Sequence, residues 1–169
     1  MKLYFTPGTC ALADHIVLTW IGKPFETQNG AILNYLADKF PESRLGGDGS
    51  PKSRAEINRW LAFVNSDVHP AFKPLFGSAN YLEDPALIEK AKQNARENLR
   101  KLFERLDGQL AGRDWVVGQR SIVDPYLFVT LRWAHKQNVD LSGLDNLERF
   151  MKNMNADPGV KKALAEQEG

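Results

Sequence analysis

Beyond Pro51 every apolar row in this 169-residue chain has helical spacing, and before it only Lys2–Phe5 reads as a strand. That single feature rules out most architectures. One strand cannot satisfy its own ladder, and even an isolated hairpin is marginal in water. A single βαβ unit takes about 30 residues, yet the chain reaches its second helix by about Asn29 with no second clear strand before it. The core must therefore be built mainly of helix on helix.

The helical rows can be read in order. Lys2–Phe5 runs into the Pro7-Gly8 turn, and from Cys10 the period changes: Leu12, Ile16 and Trp20 form one i, i+4, i+8 row with Ala13 and Val17 beside it. Gly22-Lys23-Pro24 stops that helix. Ala31, Ile32, Tyr35 and Leu36 predict a second, short helix that ends before Pro41. The stretch "PESRLGGDGSP", 41–51, reads as a linker. The expected division is residues 1–42, a linker at 43–50, and an all-helical domain over 51–169 of about five helices.

Within that domain Ile57, Trp60, Leu61, Val64, Val68, Phe72, Leu75 and Phe76 keep a helical period, while Pro70 and Pro74 should bend or break the rod. Asp84-Pro85 is an N-cap followed by proline and opens a long helix; Asp157-Pro158 repeats the device at the last one. "SIVD", 121–124, is a capping box in which Ser121 is expected to cap the amide of residue 124 while Asp124 reaches back to Ser121. Tyr126, Phe128, Leu131 and Trp133 behind it read as core.

Charge narrows the function. Twenty-two basic against 21 acidic residues leave a net charge of +1, with no basic footprint for nucleic acid. Glu89, Glu97 and Glu104 break up the Lys/Arg run of 90–105, which reads as a solvated helix face. No apolar run approaches the roughly 18 residues of a membrane span, and "MKLYFTPGTC" has no apolar signal-peptide core. One cysteine excludes an internal disulfide. A cytoplasmic location without membrane partners is expected.

The order of these pieces resembles the bacterial beta-class glutathione S-transferases: "MKLYFTPGTCALADHIVL", "GKPFE", "TQNGAILNYLADKFP", "INRWLAFVNSDVHPAFKPLF", "WVVGQRSIVDPYLFVTLRWA" and "LERFMKNMNADPGVKKAL". The resemblance implies an α/β thioredoxin-like, glutathione-binding N-terminal domain followed by an all-α bundle, mainly α overall. It also exposes a gap. "GKPFE" is followed at once by "TQNGAIL", so the rest of the second strand, a helix, the segment after a cis-proline and a fourth strand of the family pattern have no counterpart. Either the chain is internally deleted after Glu26, or the sequence skips a segment that the polypeptide contains.

The resemblance further implies an enzyme that conjugates reduced glutathione, its co-substrate, to small hydrophobic electrophiles, with thiol–disulfide activity through Cys10 as a variant. A free thiol ionises near pH 8.5, and lowering that by two units takes about 2.7 kcal/mol. A helix N-terminus supplies about 0.3–2 kcal/mol and a charge-assisted hydrogen bond about 1.5–3 kcal/mol, so no metal is required. The resemblance assigns Cys10 to the glutathione sulfur; by position alone Cys10 is equally a small hydrophobe on the helix stripe. Tyr4 is an alternative hydroxyl donor or a strand-end core residue. Gln28 and Asn29, before the second helix, suit the γ-glutamyl carboxylate, although Asn29 also reads as a cap. His69 matches a histidine that lines the site, and Asp67 an acidic residue near the peptide's amino group; Pro70 stands where many members carry Lys. Trp133 is a candidate wall for the electrophile or plain core. The family is usually a homodimer. The alternatives are a non-catalytic transferase-like binding or dimerisation module, because part of the glutathione site is missing, and a redox-sensing thiol protein.

Overall fold

The computed structural model describes residues 9–22 and 32–168. The predicted strand Lys2–Phe5, Tyr4, Gln28 and Asn29 lie outside the described residues. Within them the chain is mainly α, as expected, and carries no strand. Eight α-helices follow one another among the described residues: α1 (Ala11–Ile21), α2 (Ile32–Lys39), α3 (Pro51–Phe63), the single turn α4 (His69–Ala71), α5 (Pro85–Gln109), α6 (Val123–Lys136), α7 (Asp145–Ala156) and α8 (Pro158–Glu168).

α1 is buried on all sides rather than along one stripe: every residue from Ala11 to Leu18 is inside, Asp14 and His15 included. The reason is its position, packed against α2, α6 and α8 together. Gly22 closes it in the left-handed conformation (φ 71°), its N–H donating to the Leu18 carbonyl at 3.1 Å. Trp20 reaches α8 at Gly159, where an added Cβ would lie 2.5 Å from the indole. Its Nε1–H donates to Asp157 at 2.9 Å, while Arg120 donates to the other oxygen at 2.7 Å and stacks over Trp20 and Trp115. Asp157 also caps α8 through the Val160 amide. One carboxylate thus ties together α1, the entry to α6 and α8.

The rod carrying the prolines is interrupted, ending after Ala71. After Phe63 the helix widens into a π turn, Val64–Val68, in which the His69 N–H donates to the Val64 carbonyl. Pro70, which has no N–H to offer, follows directly. This places His69 on a new face, toward α6.

The capping box differs in one bond from its sequence pattern. Asp124 accepts from the Ser121 amide at 2.7 Å as expected, but the Ser121 hydroxyl meets the Val123 amide (3.3 Å) rather than that of residue 124. Asp124, fully buried, uses its second oxygen for the Val116 amide at 2.9 Å, so it holds the incoming loop as well as the helix start. The basic face of α5 is not wholly solvated: Arg96 and Arg100 donate to the Gln137 and Asp140 carbonyls and brace the loop after α6. Phe76, placed on an apolar row by its spacing, is half exposed, as is Leu87 on α5.

Candidate functional site

Cys10 is the residue before α1, half-buried, and its sulfur is approached by the amide N–H groups of Cys10 and Ala11. These free N–H groups favour an anion. Burial nevertheless wins, and with the neighbouring Asp14 charge it pushes the thiol up from its ordinary value. The resting Cys10 is therefore a protonated S–H group, a donor rather than a ready nucleophile, and a poor redox sensor. That departs from the simple expectation that a helix start acidifies whatever sulfur sits on it.

α6 brings Tyr126 to this end of α1. Its hydroxyl donates to Asn65 Oδ1 at 3.0 Å and pairs with His69 Nδ1 at 2.7 Å. Since the phenol proton goes to Asn65, its oxygen accepts from His69 Nδ1–H, which leaves Nε2 of the neutral ring without a proton. Burial, then the charges of Cys10 and Asp14, raise Tyr126, so it stays protonated. His69 is lowered, first by burial and then by Lys73 one turn further on.

Behind His69 stands an aromatic wall. Trp133 lies edge-on to His69 (centroids 4.9 Å apart), Phe72 (5.6 Å) and Phe76 (5.3 Å), and Phe72 stacks on Phe76. Phe76 keeps 51% of its surface exposed, so the wall ends in an accessible aromatic face. On the other side of Tyr126, α2 and α3 enclose a cavity of about 420 Å³. Its lining includes Asn34, Asn58 and Asn65 with Leu33, Leu61 and Tyr126, and Asn34 Oδ1 is buried there without a hydrogen-bond partner among the described residues. Polar amides on one side of Tyr126 and aromatic rings on the other make a site with two chemically different halves.

The structure therefore brings Cys10, His69 and Trp133 into one region. Asp67 is exposed on the π turn, outside the lining of that cavity. Tyr126, Asn65 and Asp14 were not singled out from the sequence as site residues. The first was read as core; the other two lie on helical positions with no motif to mark them.

Residues 56–158 match the family description "Glutathione S-transferase, C-terminal domain". A relative from Xanthomonas campestris pv. campestris, glutathione S-transferase GST-4.5, is 50% identical over 198 aligned positions that span 97% of each chain. Among solved structures, the glutathione S-transferase from Xylella fastidiosa is 46% identical with a TM-score of 0.94, covering 99% of this chain and 98% of its own. A sphingomonad glutathione S-transferase complexed with glutathione is 30% identical (TM-score 0.85, 99% of each chain). The bacterial beta-class enzyme of Sphingomonas chungbukensis is 28% identical (TM-score 0.84, 99% of this chain and 98% of its own). The chain belongs to the glutathione S-transferase family.

Proposed function

We propose that this protein is a beta-class glutathione transferase that conjugates reduced glutathione to small hydrophobic electrophiles. The observation that carries the reading is the convergence at one end of α1 of the Cys10 thiol, two free helix amides and the Tyr126–His69 pair. A glutathione sulfur held there accepts a hydrogen bond from the Cys10 S–H and gains from the amide dipoles, enough to keep it ionised near neutral pH. The amide-lined cavity beside Tyr126 suits the polar tripeptide, and the Trp133–Phe76 face suits an aryl electrophile. His69 orients Tyr126 and offers an unprotonated Nε2 toward the site. Gln28 and Asn29 bind the γ-glutamyl carboxylate and Asp67 the amino group; Tyr4 is a second hydroxyl donor.

In the same reading residues 1–42 form an incomplete thioredoxin-like domain, 43–50 the linker and 51–169 the helical domain, and the protein works as a cytoplasmic homodimer. The 198 aligned positions against 169 residues support a segment of the relatives' first domain missing after Glu26. An intact mass near 19.0 kDa makes that deletion genuine; a value several kilodaltons higher rejects it. The functional test is turnover of a chromogenic aryl halide with glutathione, expected for the wild-type chain and strongly reduced in Cys10→Ala. A folded chain that neither turns over the halide nor binds immobilised glutathione refutes the assignment.

A further inference from the structure

The turn between α6 and α7 builds a second cavity, which shares no residue with the one beside Tyr126. α6 ends at Lys136, Asn138 takes the left-handed conformation (φ 54°), and the chain folds back to start α7 at Asp145. The fold-back is fixed at several points. Arg96 and Arg100 of α5 hold the Gln137 and Asp140 carbonyls, and the Ser142 amide donates to the Asp140 carboxylate at 2.9 Å. Between the two arms lies a space of about 340 Å³, within the range of small-molecule sites. Leu131 of α6, Val139 of the turn, and Leu144 and Leu147 at the start of α7 form its buried apolar floor. The exposed side chains in its lining are polar: His135, Ser142 and Glu148. His135 and Glu148 also border an open depression of about 660 Å³, so they stand where the cavity opens to the surface.

Apart from the imidazole of His135, Glu148 is the one ionisable side chain in that lining among the described residues. Its carboxylate makes no hydrogen bond or ion pair among them. The cations beside it on α7 leave it unpaired. Arg149 is engaged with the Asn146 side chain and with the Leu110 and Arg113 carbonyls. Lys152, one turn further along α7, borders only the outer depression, where Asp145 offsets its charge. An unpaired carboxylate at the mouth of an apolar cavity is complementary to a cation with an apolar body. An ammonium group brings three N–H donors and no acceptor. The mouth offers three acceptors for them: the Glu148 carboxylate, the Ser142 hydroxyl and a ring nitrogen of His135. A ligand with a carboxylate head would set like charges together, and an uncharged one would forgo the charge-assisted bond. We propose that this cavity binds a small primary amine with an apolar body, its ammonium on Glu148 and its hydrocarbon on the floor from Leu131 to Leu147. The site lies beyond the transferase reading and does not depend on it.

The test uses three ligands that share one apolar body and differ in the head group: phenylbutylamine, phenylbutanol and phenylbutyrate. Each is titrated at neutral pH into the nitrogen-15-labelled full-length chain, as wild type and as Glu148→Gln, and amide shifts are followed by NMR. Glu148 is exposed, so its carboxamide near-isostere leaves the fold intact. The amine is expected to bind the wild type at least about tenfold more tightly than the carboxylate, with the alcohol between them. Its shifts should map to the α6–α7 turn and persist when glutathione is added in excess. In Glu148→Gln the preference for the amine over the alcohol should fall below about twofold. Equal binding of the three ligands, an amine preference that survives Glu148→Gln, no saturable shift with the amine, or its displacement by glutathione overturns the proposal. The transferase reading is judged by turnover, and none of these results alters it.

Discussion

Asp14 of α1 and Asp157, which accepts from Trp20 of α1, pull stability in opposite directions with pH. Burial raises Asp14 from 3.8 to about 7. Its folded-state value lies above the unfolded one, so it favours the native state at low pH and that contribution is lost as pH rises toward 7 and beyond. Asp157 is held below its ordinary value: burial opposes this, but the Trp20 indole N–H, the Val160 amide and the Arg120 guanidinium outweigh it. Its contribution is present above the unfolded value and disappears on acidification. Asp14→Asn should therefore raise the melting temperature near pH 8, by an amount on the order of 2–4 kcal/mol in stability, and change little near pH 4. Thermal melts of the two proteins at both pH values check it; equal gains at both would mean that the buried charge is not the cause.

At the scale of elements, most helix starts are capped by a neighbouring residue, while α7 takes its carboxylate from another helix. α7 has no side-chain cap of its own; Asp107 of α5 accepts from the Leu147 amide at 3.0 Å and from Asn146 at 2.9 Å. Asp124 satisfies the Ser121 and Val116 amides inside the core. Asp124→Ala strands both donors and is expected to cost about 2–5 kcal/mol in urea unfolding, whereas Asp84→Ala, an exposed cap on α5, should cost about 1 kcal/mol. Comparable losses for the two would contradict the role given to burial. Gly159→Ala drives a methyl group into the Trp20 indole and should destabilise by about 1–3 kcal/mol, visible as a shift in tryptophan fluorescence on unfolding. These elements also mark how far the sequence could be read. Helix existence and most helix starts were legible, since Asp84-Pro85, Asp157-Pro158 and Gly22 act within a few residues of themselves. The cap from Asp107 was not, because it spans 40 residues and leaves no local pattern. The same holds for the site: Cys10 and His69 stood out by motif, while Tyr126 looked like core until α6 was placed against the π turn. Asn65 acquires meaning only from that contact.

For the whole molecule, the proposed transferase site lies where α1 packs on α6 and Tyr126 of α6 meets Asn65 of the π turn. The groups proposed to hold the sulfur, Cys10, the α1 amides, Tyr126 and His69, all lie within the described residues. In the reading proposed above, with a segment absent after Glu26, turnover should be slower than ionisation alone would suggest, because positioning errors near 1 Å cost about a hundredfold in rate. The most direct test is an NMR titration of glutathione carrying a carbon-13 label at its cysteine β-carbon, bound to the wild-type chain at neutral pH. The account predicts a thiolate chemical shift for the bound peptide, persisting below the pH at which free glutathione ionises, and a shift toward the thiol value in Cys10→Ala. A bound peptide that titrates like free glutathione, or is unaffected by loss of Cys10, would contradict it.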